Sequence, residues 1–251
     1  MRFLPAGDAA LIVEFGDRVD PALNDRVLAL DAALTAAALP GVVETIPTYR
    51  SLLVQYDPLE IGAYDALVER ITALAVASPE GAAAGAGAAV SRQWAVPVAY
   101  GGPFGVDLDE VAARHGMTPE QAIETHLSGD YRVYMIGFAP GFAYLGGLPE
   151  ALHTPRRENP RSRTPAGSIS IGGIQAAVAS MELPSGWHLL GRTPVRTFHP
   201  GRAEPFLFRT GDHIRFRRIP HDAFEPLAHR AEQGEPVAEL LTAAADGQGT
   251  T

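Results

Sequence analysis

The side chains best suited to chemistry are concentrated between Tyr131 and Thr193. Arginine leads: Arg156, Arg157, Arg161 and Arg163 stand between Pro155, Pro160 and Pro165. A guanidinium makes planar, bidentate hydrogen bonds to carboxylate or phosphate, and the prolines reduce the entropy lost when such groups are held for binding. Gly191-Arg192-Thr193 adds a further cationic point. Between them, Pro165-Ala166-Gly167-Ser168 offers backbone N–H groups and a hydroxyl, the pattern of an anion nest. The chemistry this predicts is recognition of a small anion, with hydrogen bonds ready for a developing oxyanion.

Aromatic side chains accompany the arginines. Phe138, Phe142 and Tyr144 hang from the Gly- and Pro-punctuated run that contains Gly141, and Trp187 follows Ser185-Gly186 as either a core residue or a stacking wall. A nucleophile is harder to find. There is no Gly-x-Ser-x-Gly elbow, no His-Glu-x-x-His and no Gly-rich phosphate loop leading into a helix. The eight histidines are scattered without the spacing of a helical zinc site, so no metal is expected.

Composition narrows the classes further. All 20 basic residues are arginine, which removes a P-loop lysine, a Schiff-base lysine and a biotin or lipoate attachment point. Zero cysteine removes disulfides, thiolate metal sites and thiol nucleophiles together. The net charge of −9 argues against nucleic-acid binding, which needs basic surface. That charge is uneven: residues 1–150 hold 8 Arg against 19 acidic residues, whereas 151–218 hold 11 Arg against 4. A local positive field on an acidic protein suits a small anionic ligand or an acidic partner. No apolar run approaches the ~20 residues of a membrane span, and Asp8 and Glu14 interrupt the place of a signal peptide's apolar core, so no membrane association and a cytoplasmic location are expected.

The elements that must position these residues fall into two domains. Residues 1–76 read as a small α+β domain: a strand over 10–15, a helix begun by Asp20-Pro21 with Leu23, Val27, Leu30 and Leu34 as its stripe, a strand over 51–56, and a helix over 62–76. Residues 77–91, small and featureless, read as a flexible linker. From 92 to 235 a second domain begins with a strand, Trp94 to Tyr100, placed at an edge because it contains Pro97. Two capping boxes follow, Asp107 with Glu110 and Thr118 with Gln121. Short strands then recur at 131–138, 168–171, 175–179, 188–190, 195–198, 205–208 and 214–218, a spacing that predicts a barrel or sandwich. The tail, 236–251, is expected to fray.

Four runs in order, GFAPGFAYLGGLP (137–149), TPRRENPR (154–161), PAGSISIGG (165–173) and SGWHLLGRTP (185–194), resemble the family known both as allophanate hydrolase subunit 1 and as the B subunit of 5-oxoprolinase. That family includes a sporulation kinase inhibitor and is similar to part of the carboxyltransferase domain of urea carboxylase. The resemblance implies an α+β N-terminal domain followed by a mainly-β, cyclophilin-like barrel. It also implies one subunit of a multi-component, ATP-dependent 5-oxoprolinase that opens a lactam to glutamate, with no cofactor on this chain and ATP used by the complex; because no residue is a convincing nucleophile or base, the chain alone is expected to be inactive. The implied partners are a subunit resembling the other half of a carboxyltransferase domain and a third component. A histidine-kinase inhibitor, or a subunit of a biotin-dependent urea carboxylase, is the alternative. The candidate substrate-binding set is Phe138, Gly141, Phe142, Tyr144, Arg156, Arg161, Pro165, Gly167, Ser168, Gln175, Gly186, Trp187, Arg192 and Thr193, and the resemblance, which places a histidine before the 131–138 strand too, makes His126 the candidate catalyst. Two departures bear on substrate: Gln175 is followed by Ala176 where many members have Thr, and Pro184-Ser185-Gly186-Trp187 replaces Pro-Gly-Gly-Trp.

Overall fold

The computed structural model describes residues 1–77 and 92–241, and the chain divides into two compact units, Met1–Val90 and Ser91–Thr251. The linker read over 77–91 falls, beyond Ala77, outside the described residues.

The first unit is an antiparallel sheet of four strands, β1 (Arg2–Pro5), β2 (Ala10–Glu14), β3 (Val42–Pro47) and β4 (Ser51–Tyr56), in the order β1-β2-β4-β3. Strand alternation sends Leu11, Val13, Leu52 and Val54 to one face, where they are fully buried. Helices α1 (Pro21–Ala37) and α2 (Tyr64–Ala77) cover that face with Val27, Leu30 and Leu34 from one and Leu67 and Ile71 from the other. The start of α1 is as its sequence dictates: the Asp20 side chain accepts from the Ala22 N–H at 2.9 Å and Pro21 opens the first turn. Strand β1 had no sequence signal and β3 no readable bounds, both being half-exposed edges that end in proline.

The second unit is a closed barrel. Seven strands run β12 (His188–Arg192), β9 (Ser168–Gly172), β10 (Gln175–Val178), β7 (Ala143–Gly146), β6 (Tyr131–Ile136), β13 (His213–Arg218) and β5 (Gln93–Tyr100), and β5 pairs back onto β12. The β5–β13 pair is parallel and the rest are antiparallel. Inward-pointing Val96, Val98, Val133, Leu145, Ile169, Ile171, Val178 and Ile214 fill it. Helices α3 (Leu108–Arg114) and α4 (Pro119–Leu127) add Val111 and Ile123 to this core, and a separate two-stranded ribbon joins β8 (Arg161–Thr164) to β11 (Leu183–Ser185).

Several sequence expectations change here. The strand with Pro97 is central, not an edge. On one side it pairs with β13 throughout; on the other, β14 (Glu239–Leu241) reaches only to Ala95 and β12 begins at Ala99, so the missing N–H of Pro97 falls in the gap. The pairing of β14 also removes residues 239–241 from the tail expected to fray; residues 242–251 lie outside those described. Residues 195–198 and 205–208 form no strands and meet only at the single bridge Phe198–Phe206. A helix that the sequence reading did not place, α5 (Phe224–Glu232), follows β13. The Thr118–Gln121 capping box is present in both directions, but Asp107 makes no cap.

Candidate functional site

The expected site residues fall into three groups on the barrel unit. The first is an aromatic row. Strand β6 ends in a tight turn in which Phe142 N–H donates to Ala139 O and Gly137 N–H to Phe142 O, with Phe138 at φ 70° and Gly141 at φ 75°. Gly141 is required twice over: the left-handed conformation favours it, and a Cβ there would lie 2.7 Å from that of Phe198. The turn carries Phe138 outward, 66% exposed, and delivers Phe142 and Tyr144 to the same side. Tyr144 belongs to regular strand β7, whose four residues are hidden in sequence by the glycines around them.

Ring centroids then step from Phe138 to Phe142 (5.6 Å), Phe142 to Tyr144 (4.7 Å) and Tyr144 to Trp187 (6.0 Å). The Arg156 guanidinium lies over the Trp187 ring, 5.6 Å from its centroid. Trp187 is mostly buried because its indole packs where Gly172 has no side chain; a Cβ there would come within 2.8 Å. Gln175 pairs with Gly172 in the β9–β10 register and so lies beside this ring. Burial raises the Tyr144 hydroxyl pKa, with the Arg156 charge opposing it. Arg156 has no acidic partner among the described residues, and it is exposed.

The second group is an ion-pair knot. Asp107 lies just before α3, buried, and both its oxygens are saturated. Arg161 Nη1 donates to Oδ2 at 2.8 Å and Nη2 to Oδ1 at 2.5 Å; Arg157 Nη1 donates to Oδ1 at 3.1 Å and the Leu189 N–H to Oδ2 at 2.8 Å. Burial pushes the Asp107 pKa up, but the Arg161 hydrogen bonds, the Leu189 N–H and the two arginine charges outweigh it and hold the carboxyl below its usual value. Glu110 adds a 3.5 Å contact to Arg157. Asp107, Glu110 and His188 have ligating atoms within 4.8 Å of one another, yet with four donors on Asp107 no lone pair there is left for a cation. Arg161 is therefore committed to Asp107, not to substrate. The neighbouring Gly186 carbonyl accepts from the Arg157 N–H at 2.7 Å, which makes Gly186 part of this support.

The third group surrounds Arg192. Two of the residues expected to form an anion nest use their donors within the fold: Gly167 N–H on Ala179 O, Ser168 N–H on Pro165 O, and the Ser168 hydroxyl on Pro165 O at 2.7 Å. Pro165 is exposed but offers only that occupied carbonyl. Gly167, at φ 78°, is needed because a Cβ would fall 2.2 Å from Thr193 O, and Thr193 N–H donates back to Gly167 O. Thr193 is itself buried and caps the Val195 N–H. Arg192 opens into a cavity that none of the aromatic row lines. Trp187 and Arg192 stand at opposite ends of β12, about 16 Å apart at ~3.3 Å per residue. One small substrate does not touch both Arg156 and Arg192.

His126, the candidate catalyst, is a core residue. It is wholly buried, shares a 2.9 Å hydrogen bond with the Tyr100 hydroxyl, and packs against Tyr131 and Phe216 at 5.1 and 5.0 Å. Burial lowers its pKa to about 3, so it stays neutral and out of reach of a ligand. Sequence reasoning missed Asp107 because its spacing to Glu110 imitates a helix start, while its true partners lie 50 and 54 residues away.

Comparison with known proteins agrees with this architecture. The profile of the family described as carboxyltransferase domain, subdomain C and D, matches residues 1–208. The chain is 39% identical over 220 residues to the B subunit of 5-oxoprolinase from Bacillus subtilis, covering 85% of this chain and 90% of that one. It is 42% identical over 214 residues to the B subunit of 5-oxoprolinase from Escherichia coli O157:H7, covering 84% and 92%. Among solved structures, that of TTHA0988 superposes with a TM-score of 0.73 at 34% identity over 84% of this chain. The match spans only 40% of the TTHA0988 chain.

Proposed function

The chain belongs to the carboxyltransferase domain family, subdomain C and D, and from that premise we propose that it is one subunit of a multi-component, ATP-dependent 5-oxoprolinase, which opens the lactam of 5-oxoproline to glutamate. The observation that carries the reading is the likeness, along nearly their whole length, to two proteins named as the B subunit of 5-oxoprolinase. The site fits a binding role in that reaction. Arg156 is a cation with no acidic partner among the described residues, held over an aromatic wall, and it suits a carboxylate joined to a small flat ring.

A lactam carbonyl is a weak electrophile, so its oxygen must be activated before water can add at carbon and the C–N bond can break. The titratable group that feels the Arg156 charge is the Tyr144 hydroxyl, whose burial-raised pKa makes it a poor base, and His126 is enclosed. This chain accordingly binds and orients, and the activating and hydrolytic groups come from its partners. The row is open to solvent at Phe138 and Arg156, so a second surface must cover it before water is excluded. We assign that surface to a subunit resembling the other half of a carboxyltransferase domain, with a third component in the complex that uses ATP. That TTHA0988 carries the matched region as 40% of one longer chain is consistent with such a neighbour. No described helix is long and apolar enough to cross a membrane, and a cytoplasmic complex is the setting we propose.

The test is ATP-dependent glutamate release from 5-oxoproline, by this chain alone and then with its co-purifying proteins. Turnover in the mixture only is the expected result. A complex that assembles and never turns over 5-oxoproline would sink the assignment, and kinase binding and biotin-dependent urea carboxylation would be assayed in its place.

A further inference from the structure

The geometry points to a second, separate ligand site: we propose that the cavity beside Arg192 binds a small free α-amino acid as its zwitterion. The cavity, about 110 Å³, lies between the Ala166-Gly167 turn, the segment after β12 and one face of α5. At about 30 Å³ per liquid water it has room for three or four waters, the size of a small amino acid.

Its walls carry two cations and two anions, and only one pair is joined. Arg196 and Glu232 form an ion pair at 2.9 Å, although the Arg196 charge still acts on Arg192 and lowers its pKa. Arg192 is fixed differently: Nε donates to Ala166 O at 3.1 Å and the guanidinium lies over the Phe224 ring, 5.0 Å from its centroid. Its two terminal nitrogens therefore stay available, with no carboxylate on them among the described residues. Burial lowers the Arg192 pKa while the charge of Glu225, on the opposing helix face, raises it. No ion pair joins Arg192 to Glu225, though both line the cavity.

A half-buried cation without a counter-ion is costly, and it is matched here by an acid that faces it without touching. A ligand with a carboxylate at one end and an ammonium at the other completes both. The carboxylate takes the Arg192 fork, the ammonium takes Glu225, and Phe224, Val195 and Ala228 leave space for a short side chain. A simple carboxylate would satisfy Arg192 alone and leave Glu225 repelling it. This inference does not depend on the chain being an oxoprolinase subunit, and its test uses neither ATP nor turnover.

Isothermal titration of the isolated full chain with glycine, L-alanine and L-glutamate, against propionate and ethylamine as half-ligands, is the experiment. Saturable binding of an amino acid, with both half-ligands at least about tenfold weaker, is expected. Arg192→Gln and Glu225→Gln should each weaken it at least about tenfold; Glu225 is exposed, so its variant folds even if that of Arg192 does not. Propionate binding as tightly as alanine, affinity unchanged in Glu225→Gln, or no saturable binding of any amino acid would each overturn the proposal.

Discussion

Two arginines that look alike in sequence have opposite duties. Arg156 is exposed and lies over an indole face with no acidic partner among the described residues, whereas Arg161 is tied twice to buried Asp107. Arg156→Ala should therefore leave thermal stability within about 0.5 kcal/mol of the parent and abolish most turnover by the assembled complex. Arg161→Ala removes two charge-assisted hydrogen bonds and should cost about 1.5–3 kcal/mol or more; denaturant melts alongside activity separate the two. His126 leads to a pH prediction. It stays neutral in the fold down to about pH 3, while in the unfolded chain it takes a proton below about 6.5. The unfolded state thus binds more protons across that window, so stability is full above about pH 6.5 and falls as the pH drops towards 3. From pH 6.5 to 5 the loss should reach about 2 kcal/mol, and His126→Gln should flatten that slope without touching substrate affinity.

Among the elements, what was legible was what the local chain decides alone. The cap of α1 and the box that starts α4 follow from residues within four positions of each other, and both formed. Replacing Thr118 by Ala should cost about 1 kcal/mol, measurable by urea unfolding. What failed depended on a partner strand or acid. Pro97 argued for an edge because the sequence does not reveal that pairing on one side of β5 is interrupted there. Pro165 to Ser168 argued for a nest because nothing local shows that Ala179 O, twelve residues on, already takes the Gly167 N–H. The charge excess of 151–218 was likewise real in sequence but is largely answered in space, by Asp107, Glu120, Glu232 and Glu239. Strand β14, with buried Ala238 before it, makes its own claim. A chain ended after Glu235 should be less stable than one ended after Leu241 by about 2 kcal/mol or more, read from denaturant midpoints.

In the whole molecule, strand spacing left a barrel or a sandwich open for the second half, and the four motifs, by leading to the family, chose the barrel. The division of labour within the motif-bearing region was not legible, because Phe138 to Trp187, Asp107 with Arg161, and Arg192 with α5 become distinct places only once β12 is laid between β9 and β5. Sequence order put the arginines in one cluster. The barrel separates them.

The parallel pairing of β5 with β13 also sets a timetable for synthesis. Arg92 and Asp212, bonded at the start of that pair, stand 120 residues apart. At roughly 5–20 residues per second, the ribosome needs about 6–24 s to supply the partner. Throughout that interval Trp94, Val96 and Val98 lack β13 to bury them, and for all but about its last 20 residues they lack β12 as well. The sheet of the first unit, by contrast, is complete once Tyr56 has emerged. Nascent chains halted near residue 200 should accordingly yield a protease-resistant fragment ending near Ala77 and a digestible remainder, and it is during this wait that the protein is most exposed to aggregation.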